Sequence, residues 1–434
     1  MQITIQGFEI VGTGIAATIS TWHRIVDTST PQQYYTGLFI QDNYLEADDQ
    51  LWAVLPIGIK TAIDLGLRRQ PVKWGEITNN EIVALSNGTS ANIATDGITT
   101  HHFVGRVANN RVSGRSEGIH VGYARLEESL HGNSPPWNLG ITGALIEHNL
   151  FYCNSWQHGI HFVHASQGIV RNNLVVRHEE PDHGGEVHIA RGIVAGEPSW
   201  DPNDEECLED PDECYDMATA GDEANSVNVK IYNNTINHTD GQGLYLHHAI
   251  QAGEGNTEVM CNIIGKTGLQ GMYKGAPVEA YGLNNWSPGD PPPDPWITAG
   301  HNMLHNNTVD YEAAFLIGEN DRHEDSGPQL PNNPRFIKLI PGTTDEWSFM
   351  LRTVATTNSP CYNHLEFTYN SDAIDAAPQT DEWEDAEGGP GAGEEWGDLG
   401  AYGGNHNVWD PNPQGPGPFC EEYTKGVGSC APAQ

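Results

Sequence analysis

Basic residues are scarce in this sequence: 20 Lys and Arg stand against 58 Asp and Glu, which gives a formal net charge of −38. A nucleic-acid-binding protein needs a basic surface to displace phosphate counterions, so this class is excluded. An anionic membrane surface would repel the chain for the same reason. The sequence also has no apolar run of the roughly 18 residues that a membrane-spanning helix requires, so no membrane insertion is predicted.

Cysteine is infrequent as well, with 7 residues in 434, too few for a disulfide scaffold. Cys207 and Cys214 lie in one acidic stretch, and Cys420 and Cys430 lie near the end, so we expect each couple to pair locally. Such pairs favour an oxidising, secreted or cell-surface setting over the cytosol. Residues 1–7 lack the features of a secretion signal, so a leader is expected to precede this sequence. Two cysteines in apolar runs are predicted to be buried thiols: Cys153 and Cys261.

Helix signals are weak throughout the chain. It contains 49 Gly and 27 Pro, with abundant Asn, and this composition predicts many turns and few long helices. A length of 434 residues would suggest two or three ordinary domains, but repeat proteins grow without a single core. Internal repeats are therefore a better guide to the architecture of this protein than its length.

One phrase recurs seven times: a short alternating apolar run, one or two Asn, and a second alternating run. Period-2 alternation predicts strands, and Asn and Gly predict tight turns. A second phrase, centred on Gly, follows most of these; it lies 8 to 10 residues after Asn110, Asn149, Asn234 and Asn262. The sequence therefore predicts a coil of short strands with one Asn per turn, forming a side-chain ladder. The Asn phrases lie at 77–82, 107–112, 146–150, 170–174, 231–236, 260–263 and 300–304, and the Gly phrases begin at Gly97, Gly118, Gly159, Gly192, Gly243 and Gly271.

This pattern resembles the right-handed parallel β-helix of the pectin-lyase-like superfamily, in which each coil contributes three strands and turn Asn residues stack. The resemblance covers residues 1–340, and the phrases at 371–376 and 398–403 are similar to the tail of many secreted bacterial members, although Asp372 replaces the usual Pro. It implies an all-β solenoid over 1–340 and an irregular C-terminal segment, 341–434, that caps it. Loop insertions leave the turns without disturbing the stacked strands, and the largest is an acidic one at about 198–225.

Two rows of side chains are predicted to line a groove along one sheet. Strand alternation turns the second residue after each Gly outward, and neighbouring coils lie roughly 4.8 Å apart. The polar residue before each Gly gives a parallel row. The first row reads Thr99, His120, His161, Val194, Tyr245 and Tyr273, and the second reads Asp96, Glu117, His158, Arg191, Gln242 and Gln270.

The resemblance implies a polysaccharide partner, bound along such a strand face. Lyase cleavage of a uronate-containing glycan by β-elimination needs a base near the C5 proton, a cation beside the carboxylate and an acid for the leaving oxygen. We predict His161 or Tyr245 as the base and Arg191 as the cation. Lys274 or His120 would serve as an auxiliary donor. Further residues are predicted to contact the substrate: Tyr273, Glu117, His158, Gln242 and His247.

Two other functions remain open, since fold does not decide function. Stacked His and Tyr side chains also satisfy one another by hydrogen bonding, and the protein would then be a non-catalytic carbohydrate-binding or surface adhesion module. A β-helix glycoside hydrolase needs only two carboxylates at a set separation. Candidates for that pair lie outside the paired-Asp and Gly-His-Gly pattern of polygalacturonase-like hydrolases: Asp96, Glu117, Glu186 and Asp240.

Calcium is the expected cofactor. The acidic stretch 201–216 concentrates the oxygen ligands that calcium takes, although the EF-hand Gly and final Glu are missing, and a merely solvated loop is the alternative. A bound cation would also offset the −38 charge toward a polyanionic substrate. A His-rich stretch, 178–188, is better explained as scattered surface histidines than as a metal site. The predicted calcium ligands are Asp201, Asp204, Asp210 and Asp212.

Overall fold

In the residues that the computed structural model describes, three parallel β-sheets contain nine strands each. No helix of the described residues is long and apolar enough to span a membrane. The structure describes residues 2–13, 17–20, 37–48, 60–65, 72–85, 95–101, 103–114, 117–122, 143–152, 158–163, 168–178, 191–195, 229–239, 241–246, 257–267, 270–274, 297–307, 309–311, 320, 336–338, 347–351, 373, 376–378 and 399–400.

Each strand pairs in parallel with the strand three positions later in the chain, so three strands make one coil. Sheet A contains β1 (Gln2–Gln6), β4 (Gly37–Gln41), β7 (Val72–Thr78), β10 (Phe103–Ala108), β13 (Ala144–Glu147), β16 (Gly168–Arg171), β19 (Val229–Tyr232), β22 (Thr257–Met260) and β25 (Ile297–Gly300). Sheet B contains β2 (Glu9–Thr13), β5 (Tyr44–Asp48), β8 (Glu81–Leu85), β11 (Arg111–Gly114), β14 (Leu150–Tyr152), β17 (Leu174–His178), β20 (Thr235–Thr239), β23 (Ile263–Thr267) and β26 (Met303–His305).

Sheet C contains β3 (Ala17–Ser20), β6 (Lys60–Leu65), β9 (Thr95–His101), β12 (Ile119–Gly122), β15 (His158–Val163), β18 (Arg191–Ala195), β21 (Leu244–Leu246), β24 (Gln270–Lys274) and β27 (Val309–Tyr311). A separate antiparallel pair joins β28 (Phe336–Lys338) and β29 (Trp347–Leu351). The predicted fold class, an all-β parallel β-helix, is confirmed by this topology.

The core runs along the inside of the solenoid as stacked columns of aliphatic side chains. Strand alternation sends every second residue inward, and burying each such side chain stabilises the fold by roughly 1.5 to 3 kcal/mol. The residue after the Gly of each phrase was predicted to face the core, and five of these six are buried members of the core: Ile98, Ile119, Ile160, Ile193 and Leu244.

The predicted asparagine ladder is present in the turn between sheets A and B. From Asn43 to Asn262, each Asn Nδ2 donates to the Oδ1 of the Asn in the next coil at 2.9 or 3.0 Å. The residue before each Asn has a φ between 51° and 57°, a left-handed conformation that Asn and Asp tolerate best among non-glycine residues, which explains the doubled Asn. The ladder comprises Asn43, Asn80, Asn110, Asn149, Asn173, Asn234, Asn262 and Asn302.

Glycines of the second phrase are required by the close approach of the next coil. A Cβ on Gly192 would collide with the carbonyl oxygen of Gly243 and with a methyl of Ile236. A Cβ on Gly97 would collide with Val112 and lie 2.8 Å from the Gly118 carbonyl oxygen. Close stacking therefore explains these two glycines without any left-handed conformation.

Two short pieces of the C-terminal tail lie against the last coils. The amide of Gly400 donates to the Cys261 carbonyl at 2.8 Å, and the amide of Leu399 donates to Ala373 at 3.0 Å. His301 Nδ1 donates to the Ala376 carbonyl at 2.9 Å. Ala373, Ala376, Leu399 and Gly400 belong to the two tail phrases at 371–376 and 398–403. The acidic insertion lies outside the described residues, as do the four cysteines expected to pair.

The thiol predictions have different outcomes. Cys261 is a buried thiol, as predicted. It occupies the left-handed position before Asn262, with a φ of 57°, and its carbonyl accepts a hydrogen bond from the Gly400 amide of the tail. Cys153 lies outside the described residues.

Candidate functional site

The first predicted row is in register along sheet C. The Cα partners run without a break from Thr99 through His120, His161, Val194 and Tyr245 to Tyr273. Segments that are tens of residues apart in sequence are therefore superposed, as the repeat predicted.

The second row follows the same stacking. His158 is the Cα partner of Arg191. The amide of Gly118 donates to the His158 carbonyl at 2.9 Å, and the amide of Gly192 donates to the Gln242 carbonyl at 3.0 Å. These bonds place Glu117, His158, Arg191 and Gln242 on consecutive coils beside the first row.

A shared carboxylate joins the two rows. His120 Nδ1 lies 2.7 Å from Glu117 Oε2, and His161 Nδ1 lies 2.7 Å from Glu117 Oε1. An ionised carboxylate only accepts hydrogen bonds, so each Nδ1 is the donor. Glu117 thus fixes the orientation of both imidazoles, a role that the sequence did not predict when it placed Glu117 among the substrate contacts.

The imidazoles also contact one another. The His158 ring centroid lies 4.7 Å from that of His161 with an interplanar angle of 89°. The His120 centroid lies 5.4 Å from that of His161 at 76°. Both are edge-to-face contacts, in the 4.5 to 7 Å range typical of such pairs. His161 therefore contacts one carboxylate and two imidazole rings.

The cluster is more buried than the open groove that the sequence predicted. The exposed fraction is 3% for Glu117, 7% for His161 and 9% for His158. The physical reason lies in the stacking, because each side chain has neighbours about 4.8 Å above and below it. Only His120 is partly exposed, with 17% of its side chain accessible.

The electrostatics of Glu117 follow from its two partners. Burial by itself would raise the pKa of this carboxyl. The charges of His161 and His120, with their hydrogen bonds, outweigh burial and hold the pKa well below its usual value. Glu117 is therefore an anion at neutral pH, buried and compensated by two imidazoles.

A second group lies on the following coils. Arg191 Nε donates to Gln242 Oε1 at 2.8 Å, and the guanidinium carbon lies 4.5 Å from the Tyr245 ring centroid. Cation–π stacking and a hydrogen bond therefore position this guanidinium. Arg191 and His158 are partners on neighbouring strands, so the cationic group adjoins the histidine cluster.

Several predicted site residues are placed only in part or not at all. Tyr273 is the strand partner of Tyr245, and Lys274 is the partner of Leu246, one position beyond the row. The role of Lys274 as a donor stays a prediction. Other predicted residues lie outside the described part of the chain, and their roles stay predictions too: His247, Asp201, Asp204, Asp210 and Asp212.

Another buried carboxylate, on sheet A, offers a comparison. Glu147 Oε1 accepts from Arg106 Nε at 2.6 Å, and Oε2 accepts from Arg171 Nε at 2.7 Å. Burial alone would raise the pKa of Glu147, but Arg171 and His148 outweigh it and the pKa is lowered. Glu117 and Glu147 are thus both compensated carboxylates, one clamped by imidazoles and the other by guanidiniums.

Glu147→Gln is expected to remove a pH-dependent part of the stability. Because the folded pKa lies below the unfolded value of about 4.3, Glu147 contributes stability that is fully present above that value and is lost as the pH falls through the folded pKa. The unfolding midpoint of the variant should lie below that of the parent at pH 7, and the gap should narrow toward pH 3. Thermal unfolding across this pH range measures it, with Glu81→Gln, at an exposed position, as the control. A gap that stays constant with pH would contradict the assigned charge network.

Comparison with known proteins adds no relative: no family model, no curated protein and no solved structure matches this chain. The shared carboxylate, the stacked imidazoles and the adjacent guanidinium therefore carry the functional argument.

Proposed function

We propose that this protein is a secreted polysaccharide lyase, of the pectin-lyase-like type, that cleaves a uronate-containing glycan by β-elimination along sheet C. The observation that carries this proposal is the contact of one buried carboxylate with two imidazoles at 2.7 Å each, on coils adjoining the Arg191 guanidinium. The family resemblance of the repeat and the cysteine-based extracellular expectation support the finer parts of the proposal.

His161 is assigned as the base. With Nδ1–H donated to Glu117, the neutral ring carries its lone pair on Nε2, the arrangement by which a carboxylate orients a catalytic histidine. Nε2 would take the C5 proton, the C5–H electron pair would become the new double bond, and the glycosidic oxygen would leave. Glu117 is then a positioning residue, because it acts through the imidazole.

His120 is assigned as the proton donor to the leaving oxygen. It is the direct strand partner of His161 and shares the same carboxylate. The anionic Glu117 stabilises one imidazolium, so one ring can be charged as acid while the other is neutral as base. Different protonation of two coupled groups is the usual basis of an acid–base pair.

Arg191 is assigned to the uronate carboxylate. Its strand adjoins that of His161, about 4.8 Å away, close enough to act on the same sugar. Tyr245 lies a further coil away, and its contact with the guanidinium suits a role in positioning Arg191. The planar fork of Arg matches a carboxylate in two hydrogen bonds and would stabilise the enolate-like charge.

The test is incubation with alginate, pectate and glycosaminoglycans, with and without calcium, monitored at the absorbance band of the unsaturated uronate. Appearance of this band on at least one glycan is expected. New reducing ends without the band would favour the hydrolase, and neither signal on any glycan would overturn the proposal. Activity that needs calcium would support the calcium prediction for the acidic stretch.

A non-catalytic carbohydrate-binding module is the second candidate. It is favoured by the small exposed fraction of His161, 7%. The buried ring already has hydrogen-bonding and packing partners within the protein, as expected of a structural side chain. Glycan binding without any cleavage product would identify this function.

A further inference from the structure

We infer that Glu117, His120 and His161 form a binding site for a divalent transition-metal ion of the Zn²⁺ type. The inference goes beyond the proposed function, because metal binding by these three side chains requires no glycan.

The donor set points to this class of metal. One carboxylate and two imidazole nitrogens from these residues lie within 4.8 Å of one another. Imidazole suits zinc and other first-row transition metals, whereas calcium takes 6 to 8 oxygens. Two His and one carboxylate also match the three protein ligands of zinc sites that keep an open position for water or substrate.

The geometry requires only small adjustments. Ligands at the usual zinc distances of 2.0 to 2.2 Å lie about 3.3 Å apart in a tetrahedral site. Separations of up to 4.8 Å would therefore close by at most about 1.5 Å, within reach of side-chain rotation. The 2.7 Å hydrogen bonds to Glu117 would open by about 0.6 Å as the metal replaces the two shared protons.

The scaffold holds the three ligands on rigid elements. His120 and His161 are partners on the adjacent strands β12 and β15, and Glu117 lies two residues before the first residue of β12. The His158 ring contacts that of His161 from one side. Sites built on strands and supported by neighbouring side chains lose little freedom when the metal binds.

Glu147 supplies a matched control. It is buried to a similar degree, with 4% exposed against 3% for Glu117, but its partners are guanidiniums. Guanidiniums carry no lone pair for a metal at neutral pH. Substitution of Glu147 therefore perturbs a comparable buried carboxylate without touching the donor set.

The experiment is equilibrium dialysis of the chelator-treated full chain against ZnCl₂ near pH 7.5, with bound zinc measured by mass spectrometry. The parent and Glu147→Gln are expected to bind one equivalent more than Glu117→Gln or His120→Ala. Dialysis against CaCl₂ should show no such difference. CoCl₂ should give visible absorption bands in the parent that weaken in the two ligand variants.

Equal zinc content in the parent and in folded His120→Ala would overturn the inference. This variant keeps the test decisive even where Glu117→Gln fails to fold, because His120 is the most exposed of the three ligands, and circular dichroism reports its folding. Zinc binding without glycan cleavage leaves the inference standing and counts against the proposed function. Cleavage without zinc binding would overturn the inference and support the proposed function.

If His161 is the base, as the proposed function requires, zinc binding at this site and catalysis exclude each other. An imidazole that binds the metal through Nδ1 carries its proton on Nε2 and cannot act as the base. Added Zn²⁺ is therefore expected to inhibit glycan cleavage in the parent, and cleavage that is unaffected by a bound equivalent would remove His161 as the base.

Discussion

His161→Ala is expected to lower kcat on the cleaved glycan by about 10² to 10⁴-fold, the usual contribution of a positioned acid or base. The loss follows from the Glu117–His161 hydrogen bond of 2.7 Å, which orients this ring for proton transfer. Initial rates of double-bond formation measure it, with circular dichroism to show that the fold is kept. KM should change little, because the uronate carboxylate is assigned to Arg191.

Tyr245→Phe separates the two candidate bases. Phenylalanine keeps the ring beneath the Arg191 guanidinium, which lies 4.5 Å from its centroid, and removes only the hydroxyl. We therefore expect a loss of less than about tenfold, since cation–π stacking on Phe persists. Tyr245 would be identified as the base if Tyr245→Phe abolished turnover while His161→Ala left it unchanged.

Asn110→Ala is expected to cost about 2 to 6 kcal/mol of stability, because four side-chain hydrogen bonds, each worth about 0.5 to 1.5 kcal/mol, are lost. Asn110 Nδ2 donates to the Ile77 carbonyl at 2.7 Å and to Asn149 at 3.0 Å, while its Oδ1 accepts from the Asn80 amide at 2.9 Å. Alanine replaces none of these bonds. Guanidinium unfolding and hydrogen exchange of the Asn80 amide measure the effect.

Asn109→Gly is the matched control for the ladder. Asn109 lies next to Asn110 with a φ of 55°, a conformation that glycine adopts without strain. The hydrogen bond that its backbone N–H donates to the Glu147 carbonyl is retained. The expected change is within about 0.5 kcal/mol, and an effect as large as that of Asn110→Ala would show that the ladder has no special role in stability.

The two buried carboxylates show how the same solenoid stabilises charge in different ways. Glu147 is paired with the guanidiniums of Arg106 and Arg171. The partners of Glu117 are imidazoles, whose ring nitrogens can carry a proton or bind a metal ion. This difference in chemistry is the reason for placing the candidate site at Glu117 and a structural role at Glu147.

The sequence predicted the solenoid because its repeat is local and strong. Seven Asn phrases sufficed for the fold, but an eighth turn, at Asp42 and Asn43, was missed. Its signal is an Asp in the left-handed position, with a φ of 56°, in place of a second Asn. Alternation around Leu38, Ile40 and Leu45, all buried, would have identified it.

The register of the two rows along sheet C could also be predicted from the sequence. Every coil repeats the same spacing from the Gly, so one outward position per coil was enough to align His120 with His161 and Val194 with Tyr245. The burial of these side chains was not predicted, because it depends on neighbours from other coils and not on strand alternation.

By itself, the sequence determined the coil, the core columns and the order of residues along sheet C, since these follow from strand period and turn chemistry repeated along the chain. Only the tertiary structure decided that Glu117 reaches His161 across 44 positions and that Arg191 reaches Gln242 across 51. Side-chain rotamers are set by the atoms packed around them, and those atoms come from coils that are far apart in the chain.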